Sequence, residues 1–283
     1  MNTEKIYKSF IKAVDEDDNI PTVAKPLSKN YFERFLLTNK VSVITGGLGG
    51  IAKCIAKGYA EAGSHIVLLD YVTDDKGFCE QLSKDHNVKC KFYQLDVTKD
   101  ENVKEVVEKI VEDFGRIDVF VANAGITWYK GRLIDCDNED WHKLMDVNLN
   151  GVFYCAKYVG KVFEKQGSGS FIITASMSAH IVNVPHYKSA YNASKAAVKH
   201  LAKSLAVEWA GFARCNSVSP GYTSTALMDL VPDDERAKFW GMTPSGREVH
   251  PDELVGAYIY LASDASSATM GADIIVDGGF TLI

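Results

Sequence analysis

The chain has 283 residues, 46% hydrophobic and 24% charged, with a formal net charge of −6; this is long enough to bury a core without disulfide staples. It contains no run of ~18 apolar residues, which argues against a membrane-spanning helix, and its basic clusters are diluted by acids, which argues against nucleic acid as a partner. The six cysteines, at 54, 79, 90, 136, 155 and 215, show neither a paired framework nor zinc-site spacing, so reduced thiols in a cytoplasmic setting fit and no metal is expected.

Residues 1–39 are polar, acidic from Asp15 to Asp18 and punctuated by Pro21 and Pro26. They read as an N-terminal extension without a secretory signal, the main domain running over 40–283. Within the extension, YFERFLL repeats Tyr31, Phe32, Phe35 and Leu36 at helical spacing, which predicts a short amphipathic helix docked on the domain. From Val41 onward, short β-branched runs alternate with helical patterns: VSVIT, KCIAKGYAEAG, HIVLLD, FCEQLSKD, KFYQLD, VKEVVEKIVEDFG and DVFVANAG. The helical region WHKLMDVNLNGVFYCAKYVGKVFEKQ follows, then SFIITAS, SKAAVKHLAKSLAVEWA, CNSVSPG and DIIVDGG. Strands that are apolar throughout suit a parallel sheet covered on both faces. The alternation predicts an α/β, Rossmann-type doubly wound sheet in a single domain.

The first strand runs into Gly46, Gly47, Gly49 and Gly50, with Leu48 between them and Ile51 opening a helix. Glycines let the backbone turn tightly and approach a pyrophosphate, whose charge is favoured by the free amides of a helix N-terminus. Asp70 ends the second strand about 20 residues later, where a carboxylate can accept the ribose hydroxyls and repel a 2′-phosphate. No Arg or Lys occupies the turn, so the expected cofactor is NAD rather than NADP. Asp96, closing the third strand ahead of Val97, can reach the adenine edge. Asn123, Ala124 and Gly125 end the fourth, with Asn123 able to tie neighbouring strands together.

YNASK places Tyr191 and Lys195 four apart, on one face of a helix. A phenol with a pKa of about 10 needs roughly 4 kcal/mol of preference for phenolate to ionise at neutrality. A neighbouring ammonium, together with an oxidised nicotinamide, is the kind of charge that can supply it. Ser176 stands at the carboxyl end of the preceding strand, the edge where such sheets bind ligands; Ser178 is the alternative. Asn148 interrupts an apolar helix, where an amide is a poor helix former. It can hold a water beside Lys195 or be a satisfied core amide, with Asn150 as the other candidate.

In their order, TGGLGGIA (45–52), LDV (95–97), NAG (123–125), VN (147–148), Ser176, YNASK (191–195), PGYTST (220–225) and VDGG (276–279) resemble the short-chain dehydrogenase/reductase family over residues 38–283. The resemblance implies a catalytic tetrad of Asn148, Ser176, Tyr191 and Lys195. It implies a cofactor held by Gly46 and Gly50 at the pyrophosphate, by Pro220, Gly221 and Thr223 in the later loop, and by Thr225 near the nicotinamide carboxamide. A homotetramer is also implied. Longer stretches such as GSGSFIITASMSAHIVNVP and HLAKSLAVEWAGFAR look like the branch containing sorbose reductases, polyol dehydrogenases and stereoselective carbonyl reductases. Ala52 departs from the third glycine of the family turn, and Asp70 from the ends expected of NADPH-using members.

The expected activity is therefore oxidation of a secondary alcohol or reduction of a ketone, a polyol/ketose pair first. A stereoselective aryl or keto-ester reductase is the alternative, and a catalytically silent dinucleotide sensor the reading of another class. Met177, His180, Ile181, Val184, Tyr187, Trp128 and Trp240 are candidates to line the substrate site, with residues 225–244 as a mobile lid. His180 reads as a pocket or surface histidine rather than a base, because Tyr191 already supplies that function.

Overall fold

In the computed structural model, which describes residues 27, 30–226, 228 and 231–283, seven strands form one parallel sheet. They are β1 (Val41–Thr45), β2 (His65–Asp70), β3 (Cys90–Gln94), β4 (Val119–Ala122), β5 (Ser170–Thr174), β6 (Arg214–Pro220) and β7 (Asp273–Val276). Their order is β3-β2-β1-β4-β5-β6-β7. The strand order reverses at β1 and β4, which run parallel side by side, and a crevice opens at such a switch point, outside the carboxyl ends of the strands.

β1, β4 and β5 are buried at every position, as two-sided coverage requires. β6 is polar yet buried, and it survives because its side chains have partners. Asn216 donates to the Thr269 carbonyl and accepts from the Ala272 N–H, each at 2.9 Å. Ser217 and Ser219 donate to Asp273 on β7.

Eight α-helices occur among the described residues: α1 (Gly50–Glu61), α2 (Phe78–His86), α3 (Asp100–Phe114), α4 (Asn138–Met145), α5 (Gly151–Gln166), α6 (Ser189–Glu208), α7 (Asp233–Gly241) and α8 (Pro251–Ala262). On one face of the sheet α3, α5 and α6 close a core in which Phe120 and Phe171 stack at 5.3 Å and Trp209 meets Phe171 edge-on at 5.6 Å. On the other, α1 and α8 bury Ile44, Ala52, Ile55 and Tyr59, whose hydroxyl donates to the Tyr258 carbonyl at 3.0 Å.

Two expectations need correction. The helix expected over YFERFLL is a single 3-10 turn, Glu33–Phe35, too short to present an apolar stripe. Tyr31 and Phe32 are exposed, and the wholly buried Leu37 is the anchor, its N–H on the Ala62 carbonyl at 2.8 Å. Asn39 then turns the chain into β1 with φ at 62°. Residues 1–26, 28 and 29 of the expected extension lie outside the described residues. The second concerns the helical region 141–166, which is continuous but not α-helical throughout. A π turn, Asp146–Asn150, sits between α4 and α5 and carries Asn148.

No described helix is long and apolar enough to cross a membrane. All six cysteines are free thiols.

Candidate functional site

The carboxyl ends of β1, β4 and β5 are laced together. The Thr45 hydroxyl accepts the N–H groups of Asn123 at 2.9 Å and Ala124 at 3.0 Å. Asn123 donates to the Thr45 carbonyl at 3.1 Å and accepts from the Thr174 hydroxyl at 3.1 Å. Against this lacing Gly46 turns with φ at 60°, and a Cβ there would stand 3.0 Å from the Ala124 Cα, so only glycine fits without displacement.

α1 then starts at Gly50, with Gly49 as N-cap, no side-chain cap and no acid in its first turn. Thr225 crosses this turn, its methyl 3.0 Å from where a Gly50 Cβ would lie. Its loop is fixed by Gly221, whose N–H meets the Val276 carbonyl at 3.0 Å, and by Thr223, which donates to the Gly221 carbonyl at 3.0 Å. Narrow backbone at Gly46, together with an uncapped helix N-terminus between Leu48 and Ile51, fits a dinucleotide pyrophosphate.

Asp70 is tied to the same turn. One carboxylate oxygen accepts the Leu48 N–H at 3.1 Å and the other the Tyr71 N–H at 2.8 Å. Asp96 differs from expectation, because β3 ends at Gln94 and Asp96 lies in the turn beyond it. One of its carboxylate oxygens accepts the Thr98 N–H at 2.9 Å and the Thr98 hydroxyl at 2.7 Å, fixing the entry to α3. The Val97 side chain packs where a Cβ on Gly151 would otherwise stand. Gly125 faces Lys195 and Asn148: a Cβ there would lie 3.4 Å from Lys195 Nζ and from Asn148 Oδ1.

Tyr191 and Lys195 stand one turn apart on α6, with Lys195 Nζ 5.7 Å from the centre of the Tyr191 ring. The ammonium is buried and donates to the Thr174 carbonyl at 2.8 Å. Ser176, just past β5, accepts the Ser178 N–H at 3.1 Å, and its hydroxyl is near enough to the Tyr191 phenol to favour the ionised form.

The electrostatics differ from the simple expectation. Burial pushes the Tyr191 phenol above its ordinary value of 10.0, against the nearby Ser176 hydroxyl. Burial also pulls the Lys195 ammonium from 10.5 down to about 8. With the ammonium turned to the Thr174 carbonyl, a phenol lowered toward neutrality is not a property of these protein groups alone.

The Asn148 side chain is hydrogen bonded at both ends of its amide. Its oxygen accepts the Ile126 N–H at 2.8 Å, and its NH2 group donates to the Ile126 carbonyl at 2.9 Å and to the Ser194 hydroxyl at 3.2 Å. Asn150 turns instead to Asp146.

Of the expected substrate-lining residues, His180 points elsewhere, its ring 2.7 Å from Asp273 on β7 and 3.3 Å from Lys199 Nζ. Met177 and Trp128 are buried, Trp128 in a cluster that includes Leu144, Ala190 and Tyr191. Val184 and Tyr187 are exposed. The expected lid contains α7, whose Phe239 stacks on Tyr222 at 4.1 Å and whose Glu235 meets His186 at 3.0 Å. Trp240 follows on the same helix, its indole N–H buried without a partner among the described residues. Leu227, Asp229 and Leu230 of that segment lie outside the described residues.

Sequence reasoning missed Thr45, Thr174, Ile126 and Lys188. The two threonines close strands at the ligand-binding edge and were findable on that ground. Ile126 acts through its backbone and has no side-chain signature.

A family model described as enoyl-(acyl carrier protein) reductase matches residues 46–281. The chain is 52% identical over 262 residues to a probable NADP-dependent mannitol dehydrogenase of Yarrowia lipolytica, spanning 92% of this chain and 94% of that protein. It is 48% identical over 264 residues to a sorbose reductase of Candida albicans, spanning 93% and 94%. Among solved structures, the NADPH-dependent 3-quinuclidinone reductase of Rhodotorula rubra superposes with a TM-score of 0.89 at 42% identity, covering 94% of this chain and all of that one. With the glycine turn and the Ser176, Tyr191 and Lys195 grouping in the positions described, the chain belongs to the short-chain dehydrogenase/reductase family.

Proposed function

We propose that this chain is a nicotinamide-dependent oxidoreductase that interconverts a secondary alcohol and a ketone, with a polyol and its ketose as the substrate pair. One observation carries the reading: Ser176, Tyr191 and Lys195 converge at the carboxyl edge of the sheet, beside a glycine turn that fits a dinucleotide. The mannitol dehydrogenase and sorbose reductase names of its relatives support the substrate class.

In the oxidative direction Tyr191 takes the alcohol proton while Ser176 holds the oxygen; in reduction Tyr191 returns it. Lys195 and Asn148 position this pair, Lys195 from the Thr174 carbonyl and Asn148 through the loop at Ile126. The nicotinamide, when bound, supplies the hydride acceptor or donor. Gly46, Leu48, Gly49, Gly50 and Ile51 would hold its pyrophosphate, Asp70 and Asp96 its adenosine half, and Asn123 to Gly125 with the Pro220 to Thr225 loop the rest. The functional unit is residues 40–283, assembled as a homotetramer.

The preferred coenzyme is NAD(H), in contrast to the NADP named for the relatives. Asp70 supports this: its carboxylate is pinned beside the turn, and a 2′-phosphate would bring further negative charge against it. The likeness to the quinuclidinone reductase supports a second reading, stereoselective reduction of cyclic or aryl ketones. A screen by NADH absorbance across polyols, ketoses and aryl ketones, with both coenzymes, tests all of these. Silence with every substrate alongside tight dinucleotide binding would favour a sensor instead.

A further inference from the structure

Lys188 and the loop after β4 form a second constellation, which the proton transfer above does not use. The loop is clamped at successive residues. Asn148 holds both backbone groups of Ile126. Lys188 Nζ donates to the Thr127 hydroxyl at 3.2 Å and to the Trp128 carbonyl at 2.5 Å. The Trp128 indole N–H closes the loop onto the Gly131 carbonyl at 2.9 Å.

What these contacts fix in place is Tyr129. Its ring centre lies 4.5 Å from Lys188 Nζ, yet the residue is 58% exposed. Lys188 directly precedes α6, three residues before Tyr191, and Trp128, next to Tyr129, packs in one cluster with Tyr191, so the loop that carries Tyr129 borders the acid/base. The two phenols are close enough for Tyr129 to oppose ionisation of Tyr191. Partial burial of an ammonium carries a desolvation cost, and it pulls Lys188 below its ordinary pKa. A surface tyrosine without a role needs no such support. An exposed phenol beside the acid/base is instead placed to meet substrate.

We propose that Tyr129 determines substrate specificity, its hydroxyl bonding the substrate hydroxyl on a carbon next to the reacting one, and that Lys188 is the positioning residue that holds it there. A phenol hydroxyl both donates and accepts. It can therefore serve a vicinal polyol and the matching α-hydroxyketone alike, whereas an alcohol with a single hydroxyl offers it nothing. The inference rests on the hydride-transfer reading and narrows its substrate class to molecules with adjacent oxygens.

The test compares a hexitol with 2-hexanol for the full-length wild type, Tyr129→Phe, Lys188→Met and Lys188→Arg, with dinucleotide affinity measured by fluorescence as a folding control. In Tyr129→Phe the ratio of kcat/KM for hexitol over 2-hexanol should fall about tenfold, most of it in KM, the size expected for one lost hydrogen bond. Lys188→Met should shift the ratio the same way, and Lys188→Arg, which keeps donors for both loop oxygens, should recover part of it. An unchanged ratio in Tyr129→Phe would overturn the inference, as would an equal loss of kcat for both alcohols or a wild type that prefers 2-hexanol. A wild type that turns over the hexitol while Tyr129→Phe keeps its ratio sinks this inference and leaves the hydride-transfer reading standing. A wild type silent with both alcohols and with the corresponding ketones, under either coenzyme, brings both down.

Discussion

Asn148 and Ile126 are locked together through both backbone groups of Ile126, which meet the Asn148 side chain at 2.8 and 2.9 Å. The π turn at 146–150 carries the amide that makes this bond, and the residue is only 1% exposed. A buried amide with all its groups paired stabilises the loop; removal of the side chain leaves two backbone groups without partners. Asn148→Ala should therefore cost about 1–3 kcal/mol of stability. A thermal melt should show a lower Tm, and turnover should fall because the loop beside Tyr191 loosens. An unchanged Tm would mean that water replaces the amide.

Lys195 makes stability depend on pH in a defined direction. Its folded pKa of about 8 lies below its ordinary 10.5, so burial opposes the charged form in the fold. The penalty is complete below about pH 8 and disappears as pH rises toward 10.5, because across that interval the unfolded chain holds the proton that the folded chain has released. Relative to Lys195→Met, the wild type should gain stability between pH 8 and 10, by at most about 1.4 kcal/mol per pH unit. Denaturant melts of both proteins at pH 7, 8.5 and 10 measure this. A difference that stays constant with pH would show that Lys195 titrates normally.

Asp70 should set the coenzyme. Asp70→Ser removes the charge facing a 2′-phosphate while keeping an oxygen that can accept from the turn. It should raise the kcat/KM ratio of NADP over NAD by about tenfold or more, the effect of about 1.4 kcal/mol. Steady-state kinetics with both coenzymes decide this, and a wild type that already favours NADP would remove Asp70 from that role.

Gly46→Ala should weaken dinucleotide binding and lower Tm together. The new methyl would meet the Ala124 Cα at 3.0 Å, and φ at 60° disfavours any side chain. Fluorescence titration with NADH checks the first effect and a melt the second; unaltered binding would place the dinucleotide away from this turn.

The sheet was legible because its central strands are runs of β-branched and aromatic residues, such as HIVLLD and SFIIT, bounded by turns. Gly46, Ser176, Tyr191 and Lys195 were legible because each sits at a strand end or opens a helix at the same edge. The π turn was not, since DVNLNGVF keeps helical apolar spacing and a one-residue change in hydrogen bonding leaves no mark on it. Nor was the Lys188 and Tyr129 pairing, because Lys188 acts through a backbone carbonyl and a hydroxyl that only the folded loop brings to it. The place of Asp96 past a strand at the ligand-binding edge was legible, but its bonds to Thr98 were not, because an aspartate there can turn the chain as well as meet a ligand.

The central claim is that Tyr191 transfers the proton in hydride exchange between a polyol and the nicotinamide. Initial rates of hexitol oxidation with NAD, for the wild type and Tyr191→Phe, test it most directly, with NADH affinity measured on both. The account predicts measurable wild-type turnover and a loss of about 100-fold to 10,000-fold in Tyr191→Phe, with NADH still bound. Undiminished turnover in Tyr191→Phe would contradict it.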